Sequence, residues 1–430
     1  MQIMNQNMKE LMDFLDASPS GYHAAHNLVL MMEKEGYQAL SEHEDWQLYP
    51  GGKYYMVRGG TTVIAFKIPR GAPAGFMMSA SHTDWPTFKV KENGELSGIY
   101  TRLSTEKYGG MLISPWLDRP LSVAGRVMVE TENGVQAKLV NIDRDLMLIP
   151  NVAIHMNRNV NEGYKWNPAV DTLPLLGGRE AAGKFWPLVE EAAGGRILGH
   201  DLYLYIRQKA VCWGIDEEYI SSAALDDLEC AWACTRGFLR AGETSAVQVL
   251  CAFDDEEVGS NSPQGAASTI LADTLNRICN ALQVNPYRML AQSFMVSADN
   301  AHAVHPNHPE YADPGNAPTL GGGVVIKFNA AQRYTTDGVS AAVFRKIGQS
   351  AGVPLQTYCN RADIPGGSTL GHISLTHVSV PTVDVGLAQL AMHSCYETAA
   401  VADVLHLEKM MTAYYGTTLE ATPDGGCTIR

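Results

Sequence analysis

The sequence predicts an α/β protein: a three-layer α/β/α domain interrupted by an inserted β-rich domain. Three observations predict it. From Ile215 onward, buried-strand patterns alternate with amphipathic helical ones, the rhythm of a largely parallel sheet with helices on both faces. Between about Asn93 and Val211 that rhythm gives way to short β-like runs separated by turns. A chain of 430 residues is also long for a single hydrophobic core. The predicted division gives residues 1–92 and 212–430 to one discontinuous domain and 93–211 to the insertion.

Taken in order, Met8, Leu11, Met12 and Leu15 share one helical face, which Ser18-Pro19-Ser20 terminates. A second helix is expected over Tyr22–Lys34, closed by Gly36. Tyr54–Arg58 and Thr61–Lys67 flank Gly59-Gly60, a two-residue hairpin signal. Gly75–Ala80 is a short apolar strand that runs into Ser81-His82. In the insertion, Arg126–Glu130 and Gln136–Val140 flank Asn133-Gly134 as a second hairpin, and Asn161–Gly195, rich in Gly, Pro and polar residues, reads as a long loop. Helices then follow over Leu225–Leu239, Ala266–Leu282, Gly338–Ala351 and Ala400–Tyr415. Strands are expected over Ala246–Phe253, Ser293–Ser297, Val324–Phe328 and Val383–Val385.

Composition removes several function classes. The net charge of −14 repels nucleic acid and anionic membranes alike. No apolar run is long enough to span a bilayer, and Met1–Glu10 lacks the hydrophobic stretch of a secretory signal, so a cytoplasmic location is expected. Eight cysteines are too sparse for a disulfide scaffold, and no CxxC occurs, so buried reduced thiols are expected. Gly321–Gly323 and Gly366-Gly367 lack the Lys-Ser/Thr ending of a phosphate loop and the spacing of a dinucleotide site.

Sites in open α/β sheets form beyond the carboxyl ends of the strands. After Gly75–Ala80 come His82 and Asp84, and after Ala246–Phe253 come Asp254, Asp255, Glu256 and Glu257. Ser293–Ser297 leads into Asp299, Val383–Val385 leads toward His393, and Asp226 opens the helix after Ser221–Ala224. Taken singly, a His-x-Asp is ordinarily a hydrogen-bonded pair and an acidic run a solvated loop. Their recurrence at successive strand ends points instead to two divalent ions, zinc first and cobalt or manganese as alternatives, held by His82, Asp226, Glu257, Asp299 and His393. One carboxylate must then bridge. Asp84, two residues from His82 in extended backbone, is placed to accept the imidazole's second N–H. Adjacent Glu256 and Glu257 are not expected to face the same atom, so one ligates and the other serves as general base.

These stretches also carry a family resemblance. Ser81–Asp84, Tyr108–Gly110, Trp116–Arg119, Ala153–His155, His200–Tyr203 and Leu225–Asp227 contribute to it, as do Asp255–Ser260, Ala301–Asn307, Gln332–Tyr334, Gly366–Thr369 and Gln389–Ser394. Through them the chain resembles, nearly end to end, the aspartyl aminopeptidase and vacuolar aminopeptidase I family of dinuclear zinc peptidases. The resemblance implies a metallopeptidase domain with an inserted dimerisation and lid domain. It further implies that Asp226 is the bridge, Glu256 the base and Asp84 the residue that orients His82. It implies short peptides with a free N-terminus as substrates and a homo-oligomer, a tetrahedral dodecamer built from dimers. His155 corresponds to a histidine offered to a neighbouring subunit's substrate, while His302 and His305 would line the site beside Asp299. Lys327 would pair with an acidic first side chain. Trp85 and Ala330-Ala331 depart from the family pattern, so a neutral first residue is the alternative. A related two-metal carboxypeptidase or deacylase is the rival reaction.

Overall fold

The computed structural model describes residues 2–367, 369–422 and 424–430, so Ser368 of the Gly366–Thr369 motif lies outside the described residues. The principal sheet has nine strands. Four of them form its centre, in the order Val247–Phe253, Phe76–His82, Phe294–Ala298 and Thr382–Gly386, all mutually parallel. Their residues are buried without alternation because helices cover both faces. Met77, Leu250 and Val296 pack toward the helices Gly21–Lys34, Leu225–Arg240, Gly338–Ala351 and Val401–Tyr415. Met78, Val249 and Met295 pack on the other face with Ile270, Leu275 and Ile278 of the helix Ile270–Leu282.

The flanks add antiparallel neighbours to this largely parallel sheet. Thr62–Lys67 runs antiparallel to both Lys53–Arg58 and Val247–Phe253. Its direction follows from the tight turn before it, which is one residue longer than expected: Arg58 pairs with Thr62, so Gly59, Gly60 and Thr61 form the loop, with φ of +66° and +84° at the two glycines. On the other flank Val324–Phe328 is antiparallel to Thr382–Gly386 and parallel to Leu355–Cys359. An apolar run reports burial on both faces and carries no information about the direction of its neighbours.

A second sheet of six strands is built wholly from strands between residues 87 and 206. Its core gathers Phe88, Val123, Val127, Leu202 and Leu204 with Phe185 and Val189. The hairpin Leu121–Thr131 with Gly134–Asn141 forms one residue out from expectation: Thr131 pairs with Gly134, so Glu132-Asn133 makes the turn. The expected long loop 161–195 contains a strand, Leu175–Gly178, and a helix, Phe185–Ala193, capped by Gly194 at φ +70°.

A third sheet joins Val211–Trp213, Tyr219–Ser222, Glu397–Ala400, Ala388–Leu390 and Ala301–His302. Its strands are two to four residues long, too short for period-two patterning to register. It nevertheless fixes the loops that deliver Asp226 and His393. Among the described residues, no helix is long and apolar enough to cross a membrane.

Candidate metal centre

The carboxyl ends of the four central strands converge on one cluster. His82 is the last residue of Phe76–His82 and is 1 % exposed. Its Nδ1 lies 3.0 Å from the backbone carbonyl oxygen of Asp84 and 3.5 Å from the Asp84 carboxylate. The expected orienting residue is thus in place, but its carbonyl makes the shorter contact. That leaves Nε2 to face inward, 3.7 Å from Asp226 Oδ1. The other Asp226 oxygen lies 3.3 Å from His393 Nε2, and His393 Nε2 is also 3.3 Å from Glu257 Oε1.

Asp226 therefore stands between two imidazoles, one oxygen toward each. It precedes the regular part of its helix, with φ −83° and ψ 102°. Potential ligand atoms of His82, Asp226, Asp227 and Asp299 lie within 4.8 Å of one another, as do those of Asp226, Glu257 and His393. A third group joins His82, Glu256 and Glu257, so both glutamates face the cluster, contrary to the expectation that neighbours would diverge. The reason is local. Asp255 adopts φ +60° and Glu256–Val258 form a 3-10 turn, which abandons the extended alternation of side chains.

The turn is held from below by Asp84, whose carboxylate accepts the Glu256 N–H at 3.2 Å and the Glu257 N–H at 3.1 Å. The Tyr108 hydroxyl lies 2.7 Å from Asp84 Oδ2 and 2.9 Å from Asp255 Oδ1. Asp227 supports His82 from the other side, accepting its backbone N–H at 3.1 Å. Sequence reasoning did not assign Asp227, Tyr108 or Glu397 to the site. Asp227 and Tyr108 lie inside motifs quoted for the resemblance, and Glu397 lies just beyond one; their roles depend on contacts across the fold.

The electrostatics are those of an acidic pocket. Burial, reinforced by Asp226 and opposed by His393, lifts Glu257 to about 7. Burial likewise pushes Glu256 and Asp227 well above the usual carboxylate range. For His393 burial acts downward, but the adjacent carboxylates of Asp226 and Glu257 outweigh it and raise the imidazole to about 11. The donor set fits divalent cations on a separate ground: Asp226 Oδ1, Asp227 Oδ1 and Glu257 Oε1 are buried without a hydrogen-bond partner. Buried carboxylate oxygens left unpaired are costly unless a cation meets them.

The remaining predicted residues stand outside the ligand groups. Lys327 is 1 % exposed and lies behind Asp299, its Nζ 3.6 Å from Asp299 Oδ2. It donates to the carbonyl oxygens of Asp299 at 2.7 Å and Asn300 at 3.2 Å. His305 is on an exposed turn, where its Nδ1 accepts the Asn307 N–H at 3.2 Å and its ring sits 5.4 Å from that of His308. His302, three residues after Asp299, has its ring 5.9 Å from that of Tyr358. His155 lies in an exposed turn between Ile154 and Met156. None of these four belongs to the ligand groups above.

Comparison with known proteins agrees with this geometry. The family model described as "Aminopeptidase I zinc metalloprotease (M18)" matches residues 14–415. A probable M18 family aminopeptidase 2 of Clostridium novyi is 42% identical over 422 residues, covering 94% of this chain and 98% of its own. A chain in the cryo-EM structure of the Ape4 and Nbr1 complex superposes with a TM-score of 0.93 at 35% identity, covering 96% of this chain and 86% of that one. The S. cerevisiae mApe1 dodecamer gives a TM-score of 0.83 at 25% identity, covering 95% of each chain. The family match spans the cluster at the strand ends and both helical layers, and the chain belongs to the aminopeptidase I zinc metalloprotease (M18) family: it is a metal-dependent aminopeptidase, a hydrolase of peptide bonds.

Proposed function

We propose that the chain removes the N-terminal residue of short peptides at a dinuclear centre, with zinc as resident ion and cobalt or manganese able to replace it. The observation that carries this reading is the position of Asp226, whose two oxygens face His82 and His393 separately. His82, Asp226 and Asp299 would hold one ion, and Asp226, Glu257 and His393 the other. When bound, the ions polarise the scissile carbonyl and make a water more acidic. Glu256 takes the proton of the attacking water at its carboxylate and returns it to the leaving amine. Asp84 keeps His82 in one orientation and holds the Glu256–Glu257 turn through two backbone N–H groups. The carboxylates around the cluster suit a free α-ammonium and disfavour a blocked N-terminus.

Lys327 is occupied with the carbonyls beneath Asp299, which favours a prop for that ligand over a partner for acidic substrates. The preference assigned here is therefore for a neutral first residue. Peptides differing only at that position decide it: a strong preference for Asp or Glu that disappears in Lys327→Ala would restore the acidic reading.

We assign dimerisation and partial cover of the site to the unit 93–211, within a tetrahedral dodecamer built from dimers. Val152, Ile154 and Met156 are 52, 47 and 82 % exposed, a cost that contact with another copy would remove, and His155 among them would reach a neighbour's substrate. A monomer in light scattering at working concentration would refute the assembly.

For the chemistry, Glu256→Gln keeps both ions and loses turnover by at least about a hundredfold. Metal content and hydrolysis of a free dipeptide measure the two. Full activity in that variant would remove Glu256 as the base.

A further inference from the structure

We infer that Glu397 is a positioning residue for the metal centre: one buried carboxylate ties down the backbones of two ligands delivered by separate segments. Its Oε2 accepts the Asp226 N–H at 3.0 Å, across 171 residues of sequence. Its Oε1 accepts the His393 N–H at 2.7 Å. The residue is 2 % exposed. A carboxyl buried this deeply is tolerated only where its oxygens are satisfied, and here backbone amides of two metal-facing residues satisfy both.

The backbone explains why such a clamp is needed. Asp226 lies before the regular helix, with φ −83° and ψ 102°, so helical hydrogen bonding does not place it. His393 has φ +65°, the left-handed region that side-chain-bearing residues enter reluctantly. Local propensity therefore places neither ligand. Glu397 is itself held by strand pairing, opposite Ser222 in the third sheet. The sheet thus sets Glu397, and Glu397 sets the spacing between Asp226 and His393. The same device occurs across the cluster, where the Asp227 carboxylate accepts the His82 N–H at 3.1 Å.

This inference rests on the two-ion reading and assigns Glu397 chiefly to the ion among Asp226, Glu257 and His393. The full chain and its Glu397→Gln variant are stripped of metal and titrated with cobalt against a competing chelator, followed by visible absorption. Glutamine keeps one acceptor oxygen and turns an NH2 toward the other backbone N–H. One cobalt ion is expected to bind about 10- to 100-fold more weakly with an altered spectrum, while the other stays within about threefold. Glu397→Asp keeps the charge but shortens the reach, and weakening is expected there too. Parent-like affinities and spectrum in Glu397→Gln, with only a lower melting temperature of the metal-free chain, would reduce Glu397 to a structural role and overturn the inference. Full recovery in Glu397→Asp would overturn it as well, by making charge rather than reach the cause. If the parent binds a single cobalt ion, the two-ion reading fails, and the ratio of affinities for that ion still decides the role of Glu397.

Discussion

Asp254 ends the segment that carries the metal-facing turn, and burial together with the carboxylates of Asp84 and Asp255 lifts its carboxyl to about 7. The hydrogen bond from Thr61 Oγ1, 2.6 Å from Asp254 Oδ2, opposes that shift without cancelling it. A carboxyl whose folded value is raised penalises the folded state once ionised. The penalty is absent below its unfolded value, near 3.8, and complete above about 7. Asp254→Asn removes the ionisation. The variant should match the metal-free parent below that window and exceed it at pH 8 by on the order of 4 kcal/mol, measured by urea unfolding. Equal stability at both pH values would show that the carboxylate is relieved in some other way. Residues such as His82 and Asp299 were legible in sequence because they follow apolar runs directly. Lys327 was legible as an anomaly in such a run, but its donation to the Asp299 and Asn300 carbonyls was not.

At the scale of elements, the site depends on how closely neighbouring strand ends approach. A Cβ at Gly386 would stand 2.0 Å from the Asp299 carbonyl oxygen, and backbone cannot yield as a flexible side chain can. Gly386→Ala should therefore cost about 1–3 kcal/mol of stability in the metal-free chain. It should also weaken zinc binding, because the displaced peptide carries a predicted ligand; unfolding and zinc titration measure the two effects. Zinc affinity unchanged from the parent would mean that the strand end shifts without moving the Asp299 carboxylate. The elements themselves were unevenly legible. Val324–Phe328 and Gly338–Ala351 formed over the residues expected, because their patterns are long and their ends marked. The helix Phe185–Ala193 buries Phe185, Val189 and Ala193 at successive helical turns, but a Gly- and Pro-rich surround masked so short a stripe. The two- to four-residue strands of the third sheet carry no periodic signal at all.

For the whole molecule, the dominant unbalanced feature is a knot of carboxylates at the centre of a chain whose net charge is already −14. Ions that bind only the folded state stabilise it by mass action, by about 2.7 kcal/mol at a hundred times their dissociation constant. Chelation should accordingly lower the melting temperature at fixed protein concentration, and zinc should restore it. A melting temperature indifferent to chelator and zinc would argue against a tight metal centre. The sequence by itself determined the local elements: an α/β rhythm, with acids and imidazoles following successive apolar strands. These are legible because periodicity and turn chemistry act over a few residues. The tertiary structure alone decided the antiparallel flanks, the convergence of Glu256 with Glu257, the burial of Lys327 and the grip of Glu397 on Asp226 from 171 residues away. Each of those depends on which distant segments meet, and that is set by packing and backbone hydrogen bonding across the fold, which no local pattern encodes.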